Sequence, residues 1–301
     1  MARGLAFRRY TFLVPRPESL RSAPDRSPTH HFAVGLARAV GGAIIFGLPL
    51  LMTMEMWSLG FTMDPLRLAL LIVLTIPLLV GLSHVSGFEE TFGVRDDLVD
   101  AFVACLVGFV VSAAALMMFG VIQPGMPAAE VVGKVAIQAV PASMGALLAH
   151  SLLVQEKDPG DEEAAQERRR PSTYFSQIFL MAAGALFLAF NLAPTEEMPL
   201  IAYIMGPERV LAMVALSLAL MHAFVYAVEF SGQEVIHPDT PFWSVFLRFT
   251  VVGYAVALLI SAYVLWTFGR LDDTGGGEAL TNVLVLGFPA AVGAAAARLI
   301  L

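Results

Sequence analysis

Two glutamates stand out as residues able to do chemistry, because each adjoins a long apolar run. Glu55 and Glu197 lie in matching surroundings, 53–67 (TMEMWSLGFTMDPLR) and 195–209 (TEEMPLIAYIMGPER), and each segment ends in an arginine, Arg67 or Arg209. A carboxylate beside an apolar layer costs a few kcal/mol unless it is paired or hydrated. Two arrangements meet that cost. Glu55 with Arg67, and Glu197 with Arg209, can form the ion pairs that fix two helical hairpins. Alternatively, both carboxylates face a common outer mouth and attract a small cation, with the arginines as charge partners. A second constellation is His222, Tyr226 and Glu229, whose spacing puts all three on one helical face. Such a stripe either passes protons, since histidine titrates near neutral pH, or marks a helix end at the membrane interface.

Other candidates carry less. Met52, Met54, Met56 and Met63 invite a soft-metal reading, since thioethers bind Cu(I). Only two recur, as Met198 and Met205, and methionine is a common core filler. Copper handling is therefore the lesser alternative. Glu130 and Lys134, at i and i+4, pair with each other. The matching second segment keeps Glu278 but has Asn282 for the lysine, which leaves Glu278 the freer carboxylate. Glu89, Glu90, Asp96, Asp97 and Asp100 read as a solvated acidic loop. There is no nucleophile elbow, zinc-protease pair or phosphate loop, so the chain does not read as an enzyme, and no cofactor or resident metal is expected.

The elements that position these residues are set by composition. Of 301 residues, 57% are hydrophobic and 14% charged, against roughly 25% charged in an ordinary soluble domain. Mean hydropathy is +0.74. A soluble globule of this size has no interior large enough for that apolar load. The chain reads as a polytopic membrane protein, which excludes a nucleic-acid binder, a secreted disulfide scaffold and a soluble enzyme. The single cysteine, Cys105, lies in an apolar run and says nothing of redox compartment. Eight segments are long enough to cross a bilayer: 39–60, 66–87, 100–122, 131–153, 174–192, 210–230, 242–268 and 279–301. The alternation of a membrane barrel is absent, so the expected fold is all-α.

Residues 1–32 form a basic arm with Arg3, Arg8, Arg9, Arg16, Arg21 and Arg26, read as disordered or surface-lying. Residues 155–172 form a polar linker, and they separate 33–154 from 173–301. With the arm inside, the inner segments collect Arg38, Arg95, Lys157 and Arg168 to Arg170, and the outer ones only Arg67, Lys134, Arg209 and Arg270. The positive-inside rule then places both termini in the cytoplasm.

The two parts are copies. Segments 53–67 and 195–209 agree at six of 15 positions, and 130–146 and 278–294 at six of 17, Pro141/Pro289 and Gly145/Gly293 among them. Chance gives about one match per window. Four crossings per copy return the chain to its starting side. The expectation is therefore two parallel four-helix repeats related by an axis along the membrane normal. Gly145-x-x-x-Ala149 and Gly293-x-x-x-Ala297 are small-residue faces suited to close helix packing.

The stretch 48–57 (LPLLMTMEMW) and the following GFTMDPLRLAL resemble an uncharacterised bacterial integral-membrane family, a domain of unknown function, from about Gly35 onward. The resemblance implies a bacterial inner-membrane protein and implies no activity. The residues themselves favour translocation of a small cation, as a channel or with proton coupling, along a path between the repeats. The alternative is a non-transport role as membrane sensor or assembly partner. The partners expected are the lipid bilayer and a small cation or protons; nucleic acid is excluded, and further copies of the same chain are admitted.

Overall fold

The computed structural model describes residues 28–86, 94–153, 173–227 and 242–300, all helix and short connections with no strand among them. In chain order the helices are α1 (Pro28–Leu51), α2 (Met54–Thr62), α3 (Pro65–Ser86), α4 (Val94–Met118) and α5 (Ala128–Leu153). After the linker come α6 (Tyr174–Leu192), α7 (Glu197–Ile204), α8 (Pro207–Ala227) and the short α9 (Phe242–Val245). A π-helical turn, Phe246–Val251, joins α9 to α10 (Val252–Thr267), and α11 (Gly276–Ile300) ends the chain. Eight of these stretches are long and apolar enough to cross a membrane. The basic arm up to residue 27, most of the linker, Glu89 and Glu90, and Glu229 lie outside the described residues.

Local chemistry accounts for the helix ends. Pro28, Pro65 and Pro207 each take the first helical position, where the missing N–H is not needed. Asp64 caps α3, its Oδ1 accepting from the Leu66 and Arg67 amides at 2.8 and 3.2 Å. Helices α4 and α10 finish on one and the same turn. The amide of Val121 reaches the Leu116 carbonyl at 2.9 Å and that of Arg270 reaches Leu265 at 2.8 Å. Gly120 and Gly269 supply the left-handed residue, at φ 72° and 71°.

Each half is organised around its last helix. Helix α5 packs against α1, α2, α3 and α4; α11 packs against α6, α7, α8 and α10. Every residue from Gly133 to Ala149 is buried, so α5 is shielded from lipid by its own half. The small-residue faces do what their spacing predicts. A Cβ on Gly42 would collide with the Gly145 carbonyl and the Ala149 methyl, and one on Gly184 with the Gly293 carbonyl and the Ala297 methyl. These glycines let the backbones of α1 and α5, and of α6 and α11, touch. Between the halves, α3 meets α6 and α10, Gly81 holds the Phe179 ring, and Phe46 meets Phe187 edge-on at 4.9 Å.

One expected span is divided. The segment 39–60 is not a single helix: α1 stops at Leu51 and α2 starts at Met54. Gln138 Nε2 donates to the Leu50 carbonyl at 3.1 Å, which sets the end of α1 level with Gln138. Gln138 is ten residues into α5, about 15 Å along it at ~1.5 Å per residue. Gly60 then meets Gly133 and Lys134, nearer the start of α5. The chain therefore breaks inside the layer and climbs on as α2. The second half is also interrupted, between Leu192 and Glu197.

Candidate functional site

The two breaks leave backbone polar groups outside regular helix at the ends of two spans, and they are built alike. Thr53 donates its amide and its Oγ1 to the Leu50 carbonyl at 3.1 and 2.8 Å. Thr195 does the same to the Leu192 carbonyl at 3.1 and 2.9 Å. Glu55 and Glu197 follow in the first turns of α2 and α7, where the helix dipole favours a negative charge. Met56 and Met198, one residue on, are buried anchors. Met63 and Met205 then end the short helices, each amide reaching back four residues at 3.1 Å.

The breaks also differ. In the first, Trp57 Nε1 caps the Leu51 carbonyl at 2.8 Å, and Gln138 holds Leu50. Glu55 is half-buried. In the second, the Arg270 guanidinium donates to the Pro194 carbonyl, and Glu197 is exposed. Counting from Arg38 puts Glu55 at the outer rim, and Glu55 comes four residues after the apolar stretch 32–51 ends.

The arginines are not partners of these glutamates. Arg67 grips Asp272 of the α10–α11 connection and also donates to the Trp266 carbonyl. Arg209 is exposed at the start of α8. Among the described residues no ion pair joins Glu55 to Arg67 or Glu197 to Arg209. The reason is reach. Arg67 opens the third helix beside the second half's loop, whereas Glu55 lies at the other end of α2, in its first turn.

The expected pair of Glu130 and Lys134 forms, at 2.6 Å, with the ammonium also 5.3 Å from the Phe61 ring. Asn282, in the lysine's aligned place, is equally buried, and Glu278 is exposed. His222 Nδ1 lies 3.0 Å from Thr250 Oγ1 on the π-helical turn and stacks edge-on with Phe246. Helix α8 carries Tyr226 on toward its end; its side chain, like Glu229, lies outside what is described. The methionines do not converge: Met52 and Met54 are exposed and Met56 is in the core. No group of three His, Cys, Asp or Glu side chains able to hold a metal occurs among the described residues.

One polar cluster was not legible as such. Asp97, read above as part of a solvated loop, is 3% exposed, and His84 Nδ1 lies 2.9 Å from its Oδ2. Ser83 Oγ donates to Asp100 Oδ2 at 3.3 Å beside it. The acids belong to the first turns of α4, which packs on α3 and so buries one of them.

Compared with protein families, residues 35–301 match the family described as "Putative integral membrane protein (DUF2391)". The match covers most of the chain, and the chain belongs to this family. No curated protein and no solved structure matches it.

Proposed function

Taking membership of that membrane family as the premise, we propose that the chain moves a small cation across a bacterial inner membrane, with its termini in the cytoplasm. The observation that carries this reading is the paired helix break. Transporters place ion and substrate sites where spanning helices are interrupted at corresponding positions of two repeats. Here α1/α2 and α6/α7 are interrupted at aligned places, and a glutamate without an ion pair among the described residues follows each interruption. A carboxylate that adjoins a span and is not neutralised by arginine is suited to receiving a cation. His222 with Thr250 offers a separate polar contact toward the opposite end, where a proton could be exchanged.

A second reading has its own support. The seam between the halves is packed by Phe46 against Phe187, with Ala43 and Ala189 fully buried. A packed seam favours a sensor or assembly partner, or a path within a half rather than between halves. One experiment separates these. The double variant Glu55→Gln, Glu197→Gln, reconstituted in liposomes, should lose alkali-cation flux while keeping the wild-type melting temperature. Equal flux in a stable double variant would end the transport reading at these residues.

A further inference from the structure

Gln138 is wholly buried, at 0% exposure, in a part of α5 enclosed by its own half. A carboxamide brings two N–H donors and an oxygen that accepts. Its orientation is set by its neighbour: the Leu50 carbonyl can only accept, so the nitrogen points there, at 3.1 Å. That leaves Oε1 buried with no hydrogen-bond donor among the described residues. An orphaned buried acceptor is costly and calls for an occupant.

We infer that Gln138 Oε1 is a ligand of a monovalent cation held at the α1–α2 break, and that the α6–α7 break has no such site. The inference deepens the transport reading and rests on it. Several features set the sign of the occupant. Thr53 spends its amide and hydroxyl, and Gln138 its Nε2, on the Leu50 carbonyl, so these donors are turned away from Oε1. Glu55, half-buried one turn beyond, adds a carboxylate. The nearest cationic side chain on α5, Lys134, is neutralised by Glu130 at 2.6 Å. A divalent site would want several carboxylates or imidazoles, and no group of three is present among the described residues. Neutral oxygens with one carboxylate suit an alkali ion.

The second half keeps the threonine cap but differs in the other features. Leu286 stands at the aligned position of Gln138 and is fully buried. Arg270 brings a guanidinium onto the Pro194 carbonyl, so the break already holds a positive charge. Glu197 is exposed. The repeat therefore supplies two breaks and one buried amide ligand.

The test is thermal unfolding of the purified chain in detergent, titrated with NaCl, KCl or LiCl against choline chloride at constant ionic strength. At least one alkali ion should raise the wild-type melting temperature saturably. Gln138→Leu, which copies the second half, and Gln138→Met, which keeps the length without the amide, should raise the half-saturating concentration tenfold or more. Glu55→Gln should weaken binding similarly. A wild-type protein indifferent to all three ions would mean that Oε1 faces only a buried water, and the inference falls. It also falls if either Gln138 variant keeps the wild-type response. Flux in proteoliposomes keeps the two claims apart. Wild-type flux with unaltered Gln138 variants overturns the ligand alone, whereas saturable binding without flux overturns transport alone.

Discussion

Arg67 and Asp272 meet as a two-pronged ion pair, Nη1 to Oδ2 at 2.8 Å and Nη2 to Oδ1 at 2.9 Å, and so tie the first half of the chain to the second. The guanidinium also lies 4.9 Å from the Trp266 ring, whose backbone carbonyl it caps. Among the described residues the aligned Arg209 has no comparable ion pair, because the α4–α5 connection carries Gln123 and Pro124 where the other loop has Asp272. The tie is one-sided, a departure from the symmetry that the duplicated sequence suggests.

Loss of that tie should be measurable. Asp272→Asn should lower the melting temperature, and the deficit should shrink as salt rises, because the pair is partly exposed and screened. The swapped pair Arg67→Asp, Asp272→Arg should recover part of the loss. If the single and swapped variants melt alike at low salt, the pair contributes nothing to holding the halves.

The glycine contacts predict matched damage in the two halves. Gly42→Ala and Gly184→Ala each place a methyl against backbone that cannot rotate away. Each should destabilise by about 1–3 kcal/mol, as overpacking of a close contact does. Gly35→Ala, with open space around the site, should be silent. Denaturant unfolding of the three variants side by side decides the matter, and an unaffected Gly42→Ala would refute the close approach.

Lys134 should depend on Glu130 more than the reverse. Glu130→Gln strands a buried ammonium at a cost of about 2 kcal/mol, below the value for a fully buried pair because Glu130 is partly exposed. The double change Glu130→Gln, Lys134→Asn copies the neutral residue of the second half, Asn282, and should restore most of the stability. A double variant no better than the single one would show that the lysine has another role.

Parallel repeats predict a topology. In a Cys105→Ser background, cysteines at Thr62 and Tyr203, both exposed at the ends of α2 and α7, should react with an impermeant thiol reagent from the same side, the outside of intact cells. A cysteine at Tyr10 should react only after permeabilisation. Labelling of positions 62 and 203 from opposite sides would replace the parallel arrangement by an inverted one.

The comparison of sequence with structure turns on particular residues. Pro194 ends the fifth span visibly, so its limit at Leu192 could be read directly. The first break has no such mark: Pro49 lies inside α1, and Met52 and Thr53 are ordinary residues for a helix. Its cause is 88 positions away, where Gln138 takes the Leu50 carbonyl, helped by Trp57 on Leu51. Likewise the spacing of Glu55 and Arg67 suits a hairpin pair, yet the arginine's partner is 205 positions on.

What the sequence determined by itself is the membrane class, the eight spans, the all-α fold and the small-residue faces. Those follow from run length against bilayer thickness and from helical spacing, both local quantities. Only the tertiary structure decided where the first span breaks, which charges meet, and which buried amide keeps an oxygen free. Depth and partner depend on how α5 and α11 seat against their neighbours, and an aligned pair such as Gln138 and Leu286 acquires unlike roles from that seating.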